Sequence, residues 1–269
     1  MKKVGFIGCG NMGSAIIKQL STHREYTINV YDTLPELANT VASDNNVGVK
    51  ESLKELLDSS TIIILAVKPQ VLPSLYTQLS KYKDLYFISI AAGVTIHTLE
   101  SELNNKNVVR LMPNMASSIG KSVTAFASSP SCNSQFVEEA THIAKSFGEV
   151  HLLDESLFAP FIGISGSGIA MMFSLFHSMA LGAVHQGLNY NSALSIICDT
   201  AMSAGALIKE SKEHPSSLIT KVCSPKGTTI EMMKALSDGA FESVVMDGVI
   251  EAAEKSEYLE AQQTNKVRR

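Results

Sequence analysis

Cysteine is scarce in this 269-residue sequence, and the few cysteines follow no metal-binding pattern. Cys9, Cys132, Cys198 and Cys223 stand far apart and form no Cys-X-X-Cys pair. This spacing argues against both a zinc site and a disulfide framework, so we predict no metal and a reducing compartment, the cytoplasm. None of the seven histidines has a neighbouring pattern that suggests a catalytic role.

The sequence also lacks an excess of positive charge. Its net charge of −4 provides no general attraction for nucleic acid or for acidic membrane lipids. Hydrophobic residues make up 45% of the chain and charged residues 18%, which is typical of a globular protein with a sizeable core. We therefore expect a small molecule or another protein as the partner.

Signals for export or membrane insertion are missing as well. The segment 1–7 begins a strand at once and lacks the apolar stretch and cleavage site of a secretory signal. The most apolar segment, Gly168–Val184, is shorter than the ~20 residues needed to span a bilayer. We expect it to be a helix buried in a core or in a subunit interface.

The first 150 residues alternate short apolar runs with amphipathic stretches. The predicted strands are Lys3–Ile7, Ile28–Tyr31, Thr61–Val67, Leu85–Ile90, Val108–Met112 and Val123–Ala127. The predicted helices between them are Met12–Leu20, Leu34–Ser43, Leu53–Leu57 and Val71–Leu79. The run 62–67 is apolar at every position, as in a strand covered on both faces. This alternation predicts an α/β fold with a Rossmann-type, doubly wound parallel sheet.

After Asp154 the strand-like runs disappear and helical patterns follow. The predicted helices are Ile169–His185, Asn191–Glu210, Thr229–Ser237 and Phe241–Gln262. We predict a dinucleotide-binding domain at 1–155 and an all-helical domain at 156–269. A helical domain of this size covers its own apolar surface poorly, so we expect a homodimer or a higher homo-oligomer formed through it.

A glycine-rich motif stands between the first predicted strand and the first predicted helix. Gly8, Gly10 and Gly13 form a GxGxxG pattern with Cys9, Asn11 and Met12 in between. Glycines permit a tight turn and let the backbone approach a pyrophosphate, and a helix N-terminus attracts that anion. The order strand, glycines, helix therefore predicts a dinucleotide site; the alternative is a turn used only for close packing.

Asp32 ends the second predicted strand, about twenty residues after the glycines. A carboxylate there accepts hydrogen bonds from the ribose hydroxyls of NAD and repels a 2′-phosphate. No arginine follows within the next few residues to bind such a phosphate. This pattern favours NADH over NADPH, with a simple helix cap as the alternative role for Asp32.

The glycine motif and Asp32, together with later blocks, resemble the sequence pattern of the pyrroline-5-carboxylate reductase family. The blocks are Val4–Ile16, 66–70 (AVKPQ), 89–93 (SIAAG), 110–114 (RLMPN), 165–168 (SGSG), His214-Pro215 and Ser224–Ile230. The resemblance runs from the first strand to about residue 255. It implies NAD(P)H-driven reduction of the cyclic imine 1-pyrroline-5-carboxylate to proline, the last step of proline synthesis.

The resemblance also implies roles for individual residues. Ala66, Val67, Lys68, Pro69, Ala91, Ala92 and Gly93 would line the nicotinamide and ribose, and Pro113, Asn114, Ser165, Gly166, Ser167 and Gly168 the substrate. Gly227, Thr228 and Thr229 would hold the substrate carboxylate where a helix begins, although an ordinary helix cap fits these residues equally well. Thr228 and Thr229 would then act in catalysis. Lys68 is a candidate proton source, with a structural or ribose contact as the equal alternative. The substrate pocket would form between the domains or across a dimer.

The chain departs from the family pattern around the expected substrate pocket. The family usually has glycine at Lys226, proline at Ile169, tyrosine at Met171 and threonine at Ile162, and Thr-Pro in place of Met115-Ala116. These changes put the exact substrate in doubt more than the class of reaction. Lys226 would add a cation for a carboxylate or point into water.

Two other functions remain open at this stage. The first is a related imine or β-hydroxyacid reductase; β-hydroxyacid enzymes use a lysine on the long interdomain helix, and Ile169–His185 contains none. The second is a non-catalytic relative that binds nucleotide. Tight cofactor binding without turnover of any cyclic imine would identify it.

Overall fold

The computed structural model describes residues 2–267. Its strands are β1 Lys2–Ile7, β2 Tyr26–Tyr31, β3 Gly48–Val49, β4 Ile62–Leu65, β5 Tyr86–Ser89, β6 Val108–Met112, β7 Ser122–Ser128 and β8 Gly148–Leu152. The first helices are α1 Asn11–Leu20, α2 Pro35–Asn45, α3 Leu53–Asp58, α4 Leu72–Leu79, α5 Ile96–Leu103 and α6 Ser134–Lys145. The later helices are α7 Phe158–Phe161, α8 Gly168–His185, α9 Tyr190–Ser211, α10 Pro215–Val222, α11 Thr228–Asp238 and α12 Phe241–Val267.

The strands form one sheet in the order β3-β2-β1-β4-β5-β6-β7-β8. The first six are parallel, as the sequence predicts, but β7 runs antiparallel to β6, and β8 is parallel to β7. The prediction of a wholly parallel sheet is therefore wrong at this edge. Only a short connection with a 3-10 helix at Met115–Ile119 joins β6 to β7, and antiparallel neighbours need no long crossover.

The central strands bury both of their faces. In β4, Ile62 and Ile64 pack in one core with α1, α2 and α6, whereas Ile63 and Leu65 pack in a second core with α3, α4 and α5. This alternation confirms the prediction that an entirely apolar strand is covered on both sides.

Several elements escape the sequence-based prediction. The strand β3 is only two residues long, and β8 is a half-exposed edge strand that carries polar Glu149 and His151. The sequence-based prediction also lacks the helices α5, α6, α7 and α10. Local signals for the first two exist, because Thr95 and Asn133 cap them by accepting the N–H of Thr98 and Phe136.

The chain divides into two compact units, Met1–Gly166 with Ala252–Arg269, and Ser167–Glu251. The predicted division at residue 155 assigned the whole C-terminal segment to the helical domain. By packing, the last part of α12 belongs instead to the nucleotide-binding unit, where Glu260 pairs with Arg110 of β6. A single long helix thus contributes to both units, and helical periodicity alone does not reveal where it changes partner.

The second unit consists of helices and buries few side chains. Its buried apolar cluster is Ala180 of α8 with Ala193 and Ile197 of α9. His177 of α8 lies 2.9 Å from the Tyr190 hydroxyl, so this histidine has a structural partner on the next helix. Many larger apolar side chains are exposed, among them Phe173, Leu181, Ile196, Met202 and Leu207.

Within residues 2–267, two helical stretches are long and apolar enough to cross a membrane, judged by length and composition. They are Glu155–His185, 31 residues long, and Tyr190–Ser211, 22 residues long. The argument that the apolar segment is too short to span is therefore wrong, because α7 and a π-helical turn extend α8 at its N-terminus. Such helices also occur in the cores and interfaces of soluble proteins.

Candidate active site

The GxGxxG loop adopts the tight turn that its sequence predicts. Gly8 has a φ of +106°, and a Cβ on it would lie 2.6 Å from the Ala66 carbonyl oxygen. A Cβ on Gly13 would lie 2.3 Å from the Gly8 carbonyl oxygen. Gly10 differs, because a Cβ there would meet no atom within 4 Å. Two glycines therefore permit close packing, and the third keeps the space in front of the loop open.

The start of α1 behind this loop is suited to an anion. Gly10 is the N-cap residue and forms no side-chain cap, and the first turn contains no acidic residue. Backbone N–H groups and the positive end of the helix dipole are therefore available to a pyrophosphate. These residues fit a dinucleotide, since both the open surface and the uncapped helix are present.

Asp32 lies beside the glycine loop and is held by two backbone groups. Its Oδ2 accepts the N–H of Cys9 at 2.7 Å, and its Oδ1 accepts the N–H of Leu34 at 2.9 Å. The alternative role predicted for Asp32, a helix cap, is not found in that form: Asp32 accepts the N–H of Leu34, which is the N-cap residue of α2, and no side chain caps this helix. Each carboxylate oxygen can accept more than one hydrogen bond, so the ribose role remains compatible with these contacts.

The Cys9 thiol next to this carboxylate is uncharged and therefore unreactive. Burial, reinforced by the nearby charge of Asp32, raises the pKa of Cys9 to about 12. The thiol is therefore neutral at physiological pH and adds no negative charge to the loop.

Two further loops lie at the carboxyl ends of adjacent strands. Residues 66–69 follow β4 and residues 91–93 follow β5; the Ala66 N–H donates to the Ile7 carbonyl oxygen at 2.9 Å. Ala91 donates its N–H to the Ser89 hydroxyl at 3.2 Å, and Gly93 has a φ of +72°. The structure thus brings the predicted cofactor residues to one edge, where ligands of open α/β sheets bind.

Lys68 is exposed within the first of these loops. Its carbonyl oxygen accepts the N–H of Val71 at 2.9 Å and so shapes the turn before α4. Its position at the carboxyl end of β4 is compatible with either a ribose contact or a proton donor.

Asn114 and Ser165, both predicted to bind substrate, lie together and are buried. The Asn114 amide donates to the Ser165 hydroxyl at 3.2 Å, which donates to the Val123 carbonyl oxygen at 3.1 Å. Asn114 Oδ1 accepts the N–H of Ala116 at 3.2 Å. Both side chains therefore have partners within the chain, and neighbouring Pro113 is buried as well.

The block 165–168 lies where a π-helical turn meets a long helix. Residues Ile162–Gly166 form a π-helical turn that leads into α8, which begins at Gly168. Ser167 has helical dihedral angles. The glycines leave this segment without bulky side chains, and π-helical turns occur frequently at functional sites.

In the second unit, Ser224–Gly227 form the loop that precedes α11. Gly227 is the N-cap residue of this helix and forms no side-chain cap. A Cβ on Gly227 would meet the Ser224 hydroxyl and would lie 3.1 Å from the Ser224 carbonyl oxygen, so a larger residue would require the Ser224 side chain to move. Lys226 has a φ of +59°, in the left-handed region, which gives a physical reason for the family's glycine at this position. Thr228 and Thr229 form the first turn of α11.

A separate cleft of about 640 Å³ lies at the opposite edge, by the amino ends of β1, β2, β4 and β5. Its polar groups satisfy one another, since Glu139 contacts Lys2 and accepts the Tyr26 hydroxyl at 2.7 Å. The cleft is lined by no glycine loop, so it is a poor candidate for the dinucleotide.

Sequence-based reasoning assigned no role to Arg110, although it belongs to the RLMPN block. The side chain is fully buried, and its two Nη atoms donate to Glu155 at 2.7 Å and to Glu260 at 2.8 Å. Its guanidinium carbon lies 4.9 Å from the centre of the Phe158 ring. A charged residue in the middle of an apolar strand was the signal for such a cluster.

Comparisons with known proteins agree with these observations. A family model described as pyrroline-5-carboxylate reductase dimerisation matches residues 155–259. A second, described as NADP oxidoreductase coenzyme F420-dependent, matches residues 3–93. The helical region that leaves apolar side chains exposed thus coincides with a dimerisation domain, which supports homo-oligomerisation.

Full-length relatives cover nearly the whole chain. Pyrroline-5-carboxylate reductase of Aquifex aeolicus is 35% identical over 96% of this chain and 97% of its own. The Escherichia coli enzyme of the same name is 32% identical over 96% of this chain and 98% of its own. A crystal structure of Plasmodium falciparum pyrroline carboxylate reductase with NADP bound has a TM-score of 0.86 and 26% identity. It covers 96% of this chain and 98% of its own.

Proposed function

The chain belongs to the pyrroline-5-carboxylate reductase family, and we propose that it reduces 1-pyrroline-5-carboxylate to L-proline with NAD(P)H. The observation that carries this proposal is the glycine loop. Gly10 faces open space in front of an uncapped helix, at the edge of the sheet that also holds residues 66–69 and 91–93. The protein is accordingly an NAD(P)H-dependent oxidoreductase that acts on a C=N bond.

The chemistry requires a hydride donor held against an imine carbon. When bound, the reduced nicotinamide supplies the hydride, while a proton ends on the imine nitrogen, so that C=N becomes CH–NH. The protein's part is positioning. Gly10, Asn11, Met12 and Gly13 hold the pyrophosphate with backbone N–H groups, and Gly8, whose own N–H donates to the Tyr31 carbonyl oxygen at 2.9 Å, forms the turn beside it.

The remaining cofactor contacts come from the two neighbouring loops. Ala66, Val67 and Pro69, with Ala91, Ala92 and Gly93, form the walls along the nicotinamide and its ribose. Small side chains at strand ends leave room for a flat ring. Lys68 contacts the ribose or gives a proton to the imine nitrogen, which would make the imine carbon a better hydride acceptor.

For the adenosine ribose, we assign the contact to Asp32 and a preference for NADH over NADPH. The carboxylate stands beside the loop, and the next acidic residue, Glu36, lies in the first turn of α2. Both negative charges oppose a 2′-phosphate. A structural relative has NADP bound, so this preference is a property of this chain's own residues and needs its own test.

For the substrate carboxylate, we assign Gly227, Thr228 and Thr229 at the start of α11. The uncapped helix end offers N–H groups, and the hydroxyls add further donors. Pro113, Asn114, Ser165, Gly166, Ser167 and Gly168 are assigned to the surroundings of the imine ring. Since Asn114 and Ser165 bind each other, they shape this region and need not contact the substrate directly.

We further propose that the protein works in the cytoplasm as a homodimer or a larger homo-oligomer. The four cysteines are free thiols, as a reducing compartment maintains them. The exposed apolar side chains of α8 and α9 would be covered by a second copy.

The test is oxidation of NADH and of NADPH by purified protein with 1-pyrroline-5-carboxylate as acceptor. We expect oxidation with both cofactors and a larger kcat/KM with NADH. Asp32→Asn keeps one acceptor oxygen but removes the charge, so it should shift the ratio toward NADPH by about tenfold, equivalent to about 1.4 kcal/mol. Asp44→Asn, the same change at an exposed position of α2, should leave the ratio unchanged.

Two results would contradict this proposal. Protein that binds the cofactors but oxidises neither would have another imine as substrate or would be a non-catalytic relative. The departures at Ile162, Ile169, Met171 and Lys226 make a different imine the first alternative to assay. An unchanged cofactor ratio in Asp32→Asn would reject the assignment of Asp32.

A further inference from the structure

The buried guanidinium of Arg110 joins three parts of the nucleotide-binding unit. Arg110 lies in β6, Glu155 lies in the 3-10 turn after β8, and Glu260 lies in α12. The arginine side chain is 0% exposed, and those of the two glutamates are 24% and 29% exposed. A charge so completely buried requires paired partners, and two carboxylates supply them.

One of these partners also binds the turn that follows the 91–93 loop. Glu155 Oε1 accepts the N–H of Ile96, the first residue of α5, at 2.8 Å, in addition to the bond from Arg110. The start of α5 is therefore tied to the same carboxylate as the guanidinium. Only Gly93, Val94 and Thr95 separate this anchor from Ala92.

The other partner lies against the loop itself. A Cβ on Gly93 would lie 3.6 Å from Glu260 Cα and 3.7 Å from Glu260 N, so the backbone of α12 passes directly behind this glycine. Gly93 has a φ of +72°, a conformation that glycine adopts readily and other residues adopt rarely. The α12 backbone thus packs against this loop at Gly93.

We propose that Glu260 is a positioning residue for the cofactor. Through its ion pair with Arg110 it holds α12 against Gly93, and so sets the position of the Ala91–Gly93 loop along the nicotinamide. This inference rests on the proposed function, because it takes this loop as part of the cofactor site. It assigns a role in cofactor binding to Glu260, which lies about 170 positions after the Ala91–Gly93 loop in the sequence.

The experiment compares Glu260→Ala with Glu260→Gln and with Glu254→Ala as the matched control. Glu254 lies on the same helix, is exposed, and carries the same charge. In Glu260→Ala, Arg110 keeps Glu155 as a partner, so the charge stays compensated and the protein folds. The readouts are the Kd of NADH from its own fluorescence, the KM values of NADH and of the imine, and the melting temperature.

We expect Glu260→Ala to raise the Kd and the KM of NADH by about tenfold, since a small displacement of a positioning group has effects of that size or larger. The KM of the imine should change less, and the melting temperature should fall by about 2–4 °C. Glu260→Gln, which keeps an acceptor oxygen, should restore much of the affinity. Glu254→Ala should match the unmodified protein.

The outcomes separate this inference from the proposed function. A lower melting temperature with unchanged Kd and KM of NADH would mean that the cluster only stabilises the fold, and would overturn the inference. Unmodified protein that binds NADH without reducing the imine would contradict the proposed function, while the Kd comparison would still decide the role of Glu260. Unmodified protein that binds no dinucleotide would overturn both.

Discussion

The two units of this chain differ in how completely they bury their apolar side chains. In the nucleotide-binding unit, two cores cover both faces of the sheet, and β4 is buried at all four positions. In the second unit, the buried apolar cluster consists of Ala180, Ala193 and Ile197, while larger side chains such as Met202 are exposed. The first unit completes its own core, whereas the second requires a further surface.

This difference indicates a division of tasks. A parallel sheet covered on both faces provides a rigid edge on which glycine loops can be placed within fractions of an ångström. A small helical unit cannot cover its apolar residues alone and gains its stability from association. The match to a dimerisation domain over residues 155–259 agrees with this interpretation.

The largest effect is expected when an exposed apolar residue in each unit is replaced by a charged one. Met202 in the second unit and Ile119 in the first are 66% and 71% exposed. If a dimer covers Met202, the change Met202→Asp removes a buried apolar side chain from each of the two copies. This loss weakens association by at least about 3 kcal/mol. Light scattering should then show half the mass, whereas Ile119→Asp should keep the mass of the unmodified protein. Equal masses for the two variants would contradict the proposed difference between the two units.

A second comparison lies within the glycine loop. Gly13→Ala should lower stability by about 1–3 kcal/mol, because its Cβ overlaps the Gly8 carbonyl oxygen. Gly10→Ala should leave the melting temperature nearly unchanged and weaken NADH binding, since its Cβ fills the open space assigned to the pyrophosphate. Thermal unfolding and NADH titration of both variants test this. Normal affinity in Gly10→Ala would place the dinucleotide elsewhere.

For the second unit, Thr229→Val tests the assignment of the substrate carboxylate. The change removes one hydroxyl donor to a charged group, worth about 1.5 kcal/mol or more, so the KM of the imine should rise by about tenfold. Thr220→Val is the matched control, because Thr220 is exposed on α10 and donates to the Ser216 carbonyl oxygen. Steady-state kinetics at saturating NADH measure both. If both variants have the same KM, the threonine has no part in binding.

The smallest expected effect concerns Lys226. Because its φ is +59°, Lys226→Gly should stabilise the loop by up to about 1 kcal/mol, measured as a higher urea midpoint. If the lysine only points into water, the KM of the imine stays the same. A higher KM in this variant would show that the ammonium group contributes to binding of the carboxylate.

Local patterns in the sequence were sufficient to predict the core of the nucleotide-binding unit. The order of strand, glycines and helix at residues 3–20 and the two-sided burial of β4 depend on neighbours along the chain. The direction of β7 depends on the connection from β6, and the π-helical turn at Ile162–Gly166 depends on packing. Neither the direction of β7 nor the π-helical turn produces a periodic pattern of apolar residues in the sequence.

The role of α12 was the least predictable feature. Its apolar and charged residues follow a helical period, but Glu260 forms an ion pair with Arg110, 150 residues earlier in the chain. Only the three-dimensional structure brings these residues together. Likewise, Asp32 has the predicted place after β2, yet its bond to the Cys9 N–H had no signal in the sequence.

The most direct test of the central claim is transfer of a label from cofactor to product. NADH that carries deuterium on the transferred position of its nicotinamide ring is incubated with the protein and 1-pyrroline-5-carboxylate, and the product is analysed by mass spectrometry. We predict proline with one deuterium on the former imine carbon. Unlabelled proline would contradict direct hydride transfer, and the absence of proline would contradict the proposed reaction.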